Sequence, residues 1–426
     1  MLGNRVEALS STLAASRVYD GRVIMTRREW FAVASATPLL AQSPSAETPP
    51  RIARVIHEYE QQGIHRTATE VDRRSGEWLA GQVRQAGLKP ELENFTISRI
   101  DLVAASVLSN GRRVEGIPLF DCTFTDAAGV RGRIGPLGSD AGIGLTEIAP
   151  NEAGRGALVE ARRQNKHRAI LVITRGGRPG LCPSNAEDFL HPFGPPVLQI
   201  SSEESAWIND LSKQGAQATV IAQVNRTPGA ESFNVTASIP GADHSLPPLI
   251  IMTPRSGWWT CASERGGGIA CWLELMRAMR GMKPAREVRF VASSGHELGQ
   301  LGIEIYAQRR EGLIKQSRGW IHFGANVGAA QDPGNTIQAS DDQMERTMAE
   351  QLTAAGLKID RRVPRGTVPG GEAGVVHRGG GRYMSIIGRS ALFHNPLDRG
   401  PDAADPAMIA RFAAAFTTIA KGLAET

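Results

Sequence analysis

Cysteine is scarce in this chain of 426 residues. There are four, Cys122, Cys182, Cys261 and Cys271, and no Cys-x-x-Cys pair, which excludes a disulfide-rich scaffold. A single Cys122–Cys182 bridge is open to an exported protein, with buried free thiols as the alternative. Aromatic residues make up 5%, and 48 basic against 43 acidic residues leave a net charge of +5. With no basic block and no basic–aromatic run, nucleic-acid binding is excluded. No Gly-x-Ser-x-Gly elbow occurs and no cysteine has an evident histidine partner, so serine and thiol hydrolase chemistry lack their motifs. The Gly-rich stretches ERGGGI and RGGGR lack P-loop spacing and read as loops. A zincin helix is missing too. GHELGQLG (295–302) supplies His296-Glu297, but Gln300 stands where a second ligand His belongs, and Gly299 and Gly302 oppose a helix.

What is present begins with Met25-Thr26-Arg27-Arg28-Glu29-Trp30-Phe31 followed by FAVASATPLLAQ. Twin arginines before a short apolar run read as a Tat-type export signal over Met25–Ala41, which implies a periplasmic or extracellular protein. An ordinary apolar helix preceded by chance by Arg-Arg is the alternative. The run, about a dozen residues, is too short to span a bilayer, so no stable membrane span is expected after signal removal. Met25 is then the expected start, with cleavage between Ala41 and Ala46.

The length allows two domains with proper cores. RIARVIHEYEQQG and EVDRRSGEWLAGQVRQAG space apolar residues by three and four, predicting two helices that each end in Gly. Residues 110–230 alternate short strands and a short helix between Gly/Pro-rich loops, the texture of an inserted small domain. From Asn234 onward strands (LPPLIIMTP, AREVRFVASSG, RGWIHFGANVG, RYMSIIGR) alternate with helices (GIACWLELMRAMRGM, IEIYAQRREGLI, DDQMERTMAEQLTAAGL, DPAMIARFAAAFTTIAKGLAE). That alternation argues for an α/β sandwich with a largely parallel sheet, and in such sheets ligands bind beyond the carboxyl ends of strands. Those ends supply Thr253 and Arg255, His296 and Glu297, His322 and Gly324, and further on His394 in ALFHNPLDRG. Glu264 lies in the loop CASERGGGIA.

In this order and spacing the segments resemble the di-zinc aminopeptidases of metallopeptidase family 28, relatives of the glutamate carboxypeptidases. HRTATEVDRRSGEWLAGQVRQAGL resembles their N-terminal helix and NVTASIPG their entry into the catalytic sheet. The resemblance implies a three-layer α/β sandwich with a mixed, largely parallel sheet over residues 47–109 and 231–426. It also implies a smaller, β-rich, protease-associated insert over 110–230, behind an N-terminal extension and signal at 1–46. It further implies a peptidase acting on peptide N-termini or related amides.

Carried over residue by residue, the resemblance puts Thr253 at a ligand His and Glu264 at the metal-bridging Asp. His296 stands at the Glu general base, Glu297 at a ligand Glu, Gly324 at a third ligand carboxylate and His394 at the last ligand His. Thr253 and Gly324 are thus degenerate ligand positions. Two metals need several carboxylates against their mutual repulsion, so at most one zinc is expected, held by Glu264, Glu297 and His394 with His296 as base. Arg255 stands where the family has the Asp that orients its first His, and Arg265 directly follows Glu264. A guanidinium beside these carboxylates would take the electrostatic place of a cation. Trp258 and Trp259 are candidate pocket walls, with core or rim packing as the alternative. Two functions follow: a one-zinc hydrolase of peptides or small amides, or an inactive relative that binds a peptide or partner in the same cleft.

Overall fold

The threes and fours of the first helical pattern become α1 (Thr48–Glu60), which buries Ile52, Val55, Ile56 and Tyr59. A loop leads to α2 (Glu70–Gln85), whose N-cap Thr69 accepts the Asp72 amide and satisfies one orphan donor of the first turn. The computed structural model describes residues 44–425, so the Tat-type segment Met25–Ala41 lies outside the described residues.

Two long strands follow. Strand β1 (Glu91–Ser109) pairs antiparallel with a strand of similar length, Gln217–Ile239, from Glu91 opposite Thr236 to Leu108 opposite Thr219. Between them the chain forms β2 (Arg112–Pro118), β3 (Val130–Pro136), β4 (Ile143–Ile148), α3 (Gly156–Arg163), β5 (Ala169–Thr174), β6 (Val197–Ser201) and α4 (Ser205–Gln214). The second long strand is therefore β7. Strands β3 to β6 pair in parallel, in the order β3-β4-β5-β6, and close their own core around Ile143, Leu171, Leu198, Ile208 and Val220. β7 runs through residue 230 without a break, so the sheet is continuous across that boundary.

The remaining elements are β8 (Leu249–Pro254), α5 (Gly266–Met279), β9 (Val288–Ser293), α6 (Leu301–Gln308), α7 (Leu313–Gln316), β10 (Gly319–Phe323), β11 (Gly334–Ala339), α8 (Asp342–Ala354), β12 (Arg361–Arg362), α9 (Ala373–Arg378), β13 (Tyr383–Arg389) and α10 (Pro406–Glu425). The order β7-β9-β8-β10-β13-β11-β12 has β9, β8, β10 and β13 mutually parallel, with β7 and β11 antiparallel beside them. This is the expected mixed, largely parallel sheet.

Period-two alternation sorts the strand residues onto two covered faces. Leu249 and Ile251 of β8, Phe290 of β9, Ile321 and Phe323 of β10 and Met384 of β13 face one core with α1, α2, α5, α8 and α10. Ile250, Met252, Val291, Trp320 and Tyr383 face the other, with Ile303 and Tyr306 of α6 and Val375 and Val376 of α9. The result is three layers. Trp272 of α5 is fully buried against Phe290, with its indole N–H donated to the Ile251 carbonyl. α10 is long and apolar enough to cross a membrane, but half of it is buried, and it packs on α1, α5 and α8.

The Gly266-Gly267-Gly268 run opens α5 against the loop that follows β10. A Cβ on Gly267 would lie 1.8 Å from the Val327 carbonyl oxygen, a contact that only glycine avoids. Gly267→Ala is therefore expected to lower stability by about 1–3 kcal/mol or more through overpacking, read as a shifted urea midpoint.

Candidate active site

Strands β8, β9, β10 and β13 end together, and their following turns enclose one buried polar cluster. After β9 the chain reverses in a single 3-10 turn, His296–Leu298, between Gly295 (φ 86°) and Gly299 (φ 75°). Both glycines lie in the left-handed region where a side chain is disfavoured, which explains the Gly spacing of GHELGQLG. The loops after β8 and β13 hold two non-glycine residues at positive φ, Cys261 (55°) and His394 (56°).

Glu297 is tied into this framework by both oxygens. Oε1 accepts the Thr67 amide at 2.7 Å, and Oε2 accepts the Ser256 hydroxyl at 2.7 Å. The same hydroxyl oxygen accepts the amides of Gly295 and His296 at 2.9 and 3.1 Å. Burial raises the Glu297 pKa against the opposing pull of these donors. The carboxylate staples the α2 entry loop, the β8 loop and the His296 turn.

Glu264 is fully buried. Its Oε1 lies 2.7 Å from Nη2 of Arg265 and 3.3 Å from Nε2 of His394. Burial alone would raise its pKa, but Arg265 and then His394 hold it well below the ordinary carboxylate range. Arg265 is itself 1% exposed. Its Nε donates to the Ser256 carbonyl at 2.7 Å, Nη2 faces Glu264, and Nη1 makes no hydrogen bond. Asp398 accepts the amides of Ser263 and Glu264 at 2.8 and 2.9 Å, fixing the loop that presents this pair.

His296 turns Nδ1 toward Glu372 Oε1 at 3.6 Å. Glu372 precedes α9, also receives the Ser293 hydroxyl, and is pushed up to about 7 by burial. Burial and then the charge of Arg265 drive His296 well below 6.5, so it is a neutral imidazole. His322 bonds Ser385 through Nδ1 at 2.8 Å and is lowered to about 3 by burial.

Glu264, His394 and His296 thus gather around Arg265, whereas Glu297 is turned to structural donors. Thr253 donates to the Phe323 carbonyl at 3.1 Å, closing the gap between β8 and β10. A Cβ on Gly324 would meet His322 Cε1 at 2.9 Å, so no carboxylate fits there without repacking. Arg255 is corrected as the metal-replacing charge. Its guanidinium pairs with Asp72 Oδ1 at 2.7 Å and with the carbonyls of Asp72 and Phe233, and Arg265 is the cation beside Glu264. Trp258 is corrected as a pocket wall. Trp258 is 1% exposed, packs on Phe120 and bonds Asn185, and Trp259 donates to the His394 carbonyl. The Cys122–Cys182 bridge is likewise corrected, because both thiols are free and buried. Sequence reasoning missed Glu372, Ser256, Asp72 and Asp398. A Glu at the start of a short helix after Pro-Gly-Gly was the one local signal for Glu372.

A zinc ion does not fit this arrangement. Of the expected ligands, Glu264 is paired with a guanidinium and Glu297 has both oxygens engaged. Among the described residues no group of three or more His, Cys, Asp or Glu side chains is set to hold a metal.

The three-layer α/β fold is that of zinc aminopeptidases of known structure, as the resemblance to metallopeptidase family 28 implied. BSAP, a zinc aminopeptidase from Bacillus subtilis, superposes with a TM-score of 0.72 at 15% identity over 89% of this chain and 96% of its own. An aminopeptidase from Aneurinibacillus sp. strain AM-1 gives 0.66 at 16% identity over 88% and 94%. A Peptidase M28 precursor from Shewanella amazonensis SB2B gives 0.66 at 17% over 89% and 96%. In sequence, the chain is 23% identical over 330 residues to aminopeptidase YwaD of Bacillus subtilis (strain 168), covering 72% of this chain and 70% of the relative. No protein-family model matches the chain.

Two measurements check this geometry. Arg255→Met leaves the Asp72 carboxylate buried without its cation and is expected to cost about 3–5 kcal/mol in urea unfolding. Glu372 has a folded pKa of about 7 against an ordinary 4.5. Below pH 4.5 both states are protonated. Between about 4.5 and 7 the unfolded state releases a proton that the folded state keeps, so stability falls as pH rises through that window. Glu372→Gln is expected to remove roughly 2–3 kcal/mol of that fall, measured by urea midpoints at pH 4.5 and 7.5.

Proposed function

We propose that this protein is an aminopeptidase-like peptide-binding protein in which Arg265 serves as a fixed internal cation, and that it does not hydrolyse peptides. The observation that carries this reading is the fully buried Arg265–Glu264 pair at 2.7 Å. A guanidinium supplies positive charge and directed donors, but it cannot bind and acidify a water as a metal does. The neutral His296 at the general-base position then has no metal-bound water to deprotonate. Thr253 and Gly324, which lack ligand groups, support the same conclusion.

The second reading is a metal-dependent aminopeptidase, favoured by the likeness in sequence to aminopeptidase YwaD. It requires Arg265 to leave Glu264. We also propose that the chain is exported through its twin-arginine segment, and that residues 110–230 act as a protease-associated insert beside the peptidase-like domain. N-terminal sequencing of the exported protein tests the export reading, and retention of residues 25–41 would overturn it.

Metal analysis of protein purified without chelator, run beside an assay on aminoacyl amides, separates the two functional readings. Zinc far below one ion per chain and no hydrolysis is the expected outcome. About one zinc per chain, lost in His394→Ala together with amide hydrolysis, would establish the metallopeptidase instead.

A further inference from the structure

An open groove of about 330 Å³ runs between α1 and α2, lined by Glu58, Gln62, Arg74 and Trp78. These residues form two pairs four positions apart, so each pair stands in one row along its own wall. Glu58 and Gln62 lie in and just beyond the last turn of α1, and Arg74 and Trp78 lie within α2. The side-chain hydrogen bonds and ion pairs of all four stay within residues 58–82. The groove is therefore separate from the buried cluster at the strand ends.

The indole of Trp78 is fixed in place. Its N–H donates to Glu58 Oε2 at 2.9 Å, and its ring stands 6.1 Å from that of the buried Tyr59. Gln82 donates to the same Glu58 oxygen at 3.0 Å, which leaves Oε1 of the carboxylate without a partner among the described residues. Gln62 donates through Nε2 to the Glu58 carbonyl at 3.0 Å, while its Oε1 is shielded from solvent and accepts nothing. An acceptor left dry and unpaired is costly, and a donor entering the groove satisfies it once the amide turns. On the opposite wall Arg74 approaches Glu70 at 3.9 Å through Nε, and its Nη groups make no hydrogen bond among the described residues. Glu58 and Arg74 thus face one groove with opposite charges and are not paired with each other. A ligand with a single charge gains from one wall and meets a like charge on the other, whereas a ligand with both gains from both. An ammonium, with three N–H groups, suits the oxygens of Glu58 and Gln62. A carboxylate suits the guanidinium fork of Arg74, and the indole offers an apolar face.

We propose that this groove binds a free α-amino acid with an apolar or aromatic side chain, its ammonium on Glu58 and Gln62, its carboxylate on Arg74 and its side chain on Trp78. The site goes beyond the peptide-binding reading and does not rest on it, because no residue of the groove belongs to the strand-end cluster. Both charged walls are reached by water and salt, which weaken each ion pair, so a dissociation constant of about 1 mM is expected for a ligand of this size.

The test is a titration of the full chain with L-phenylalanine, read at the indole N–H resonance of Trp78 by nuclear magnetic resonance, with Trp78→Phe identifying that signal. A saturable shift is expected. L-Phenylalaninamide lacks the carboxylate and N-acetyl-L-phenylalanine lacks the ammonium, and each is expected to bind about fivefold more weakly than the free amino acid. Arg74→Met is expected to abolish the preference over the amide. Glu58→Gln, which keeps an acceptor for the Trp78 indole, is expected to abolish the preference over the acetylated compound. Both substitutions lie on partly exposed side chains, so the fold is kept and the preferences remain measurable. No saturable shift up to about 20 mM would overturn the proposal. Equal binding of the three compounds to the wild-type chain would reduce the groove to an apolar surface and overturn it as well, as would full retention of both preferences in the two variants.

Discussion

The organising interaction is the buried ion pair between Glu264 and Arg265. An ionised carboxylate with no solvent exposure needs a cation or directed donors. In a metal-centred cleft the ion meets that need, and here the adjacent residue does. The consequences extend outward. Arg265 meets the charge of Glu264, Glu297 binds a hydroxyl and an amide, and burial together with the charge of Arg265 lowers the pKa of His296 and of His322. Removing either member of such a pair leaves the other uncompensated, typically at roughly 3–5 kcal/mol.

The pair is held by loops that backbone hydrogen bonds (Asn326 to Glu264, Ala262 to Asp398) and side chains connect together. Ser256 bridges the β8 loop to the His296 turn, Asp398 presents two acceptors to the amides of Ser263 and Glu264, and Asp72 anchors Arg255 and the Ser294 hydroxyl from α2. Each is buried and satisfied by partners distant in sequence, the arrangement that makes a polar network rigid. The segment after β5 bonds two consecutive residues of one site loop, His394 and Asn395.

The sheet and its covering helices were legible in the chain. β8, β10 and their neighbours are short continuous apolar runs, and helices with three- and four-residue apolar spacing intervene, a pattern with few tertiary solutions. The placement of Glu264, His296 and His394 at strand ends was legible for the same reason, because each follows its strand or opens its helix within a few residues. The role of the arginines was not. Arg255 and Arg265 both follow β8 and both neighbour candidate ligands, and local sequence does not distinguish them. Asp72, 183 residues before Arg255, claims one guanidinium and leaves the other to Glu264. Glu372 was hidden in the same way, since it reaches His296 across 76 positions, through the packing of α9 against the sheet.

By itself, then, the sequence determined the alternation of elements, the glycines that make the His296 turn and the α5 contact possible, and the absence of a carboxylate or imidazole at Thr253 and Gly324. These are local properties, set by side-chain volume, backbone freedom and spacing. Tertiary structure alone decided which charge neutralises which, what lies over the cluster, and that Glu297 serves the framework. Electrostatic pairing in a buried site depends on distances between segments far apart in the chain, and those distances exist only once the layers have packed.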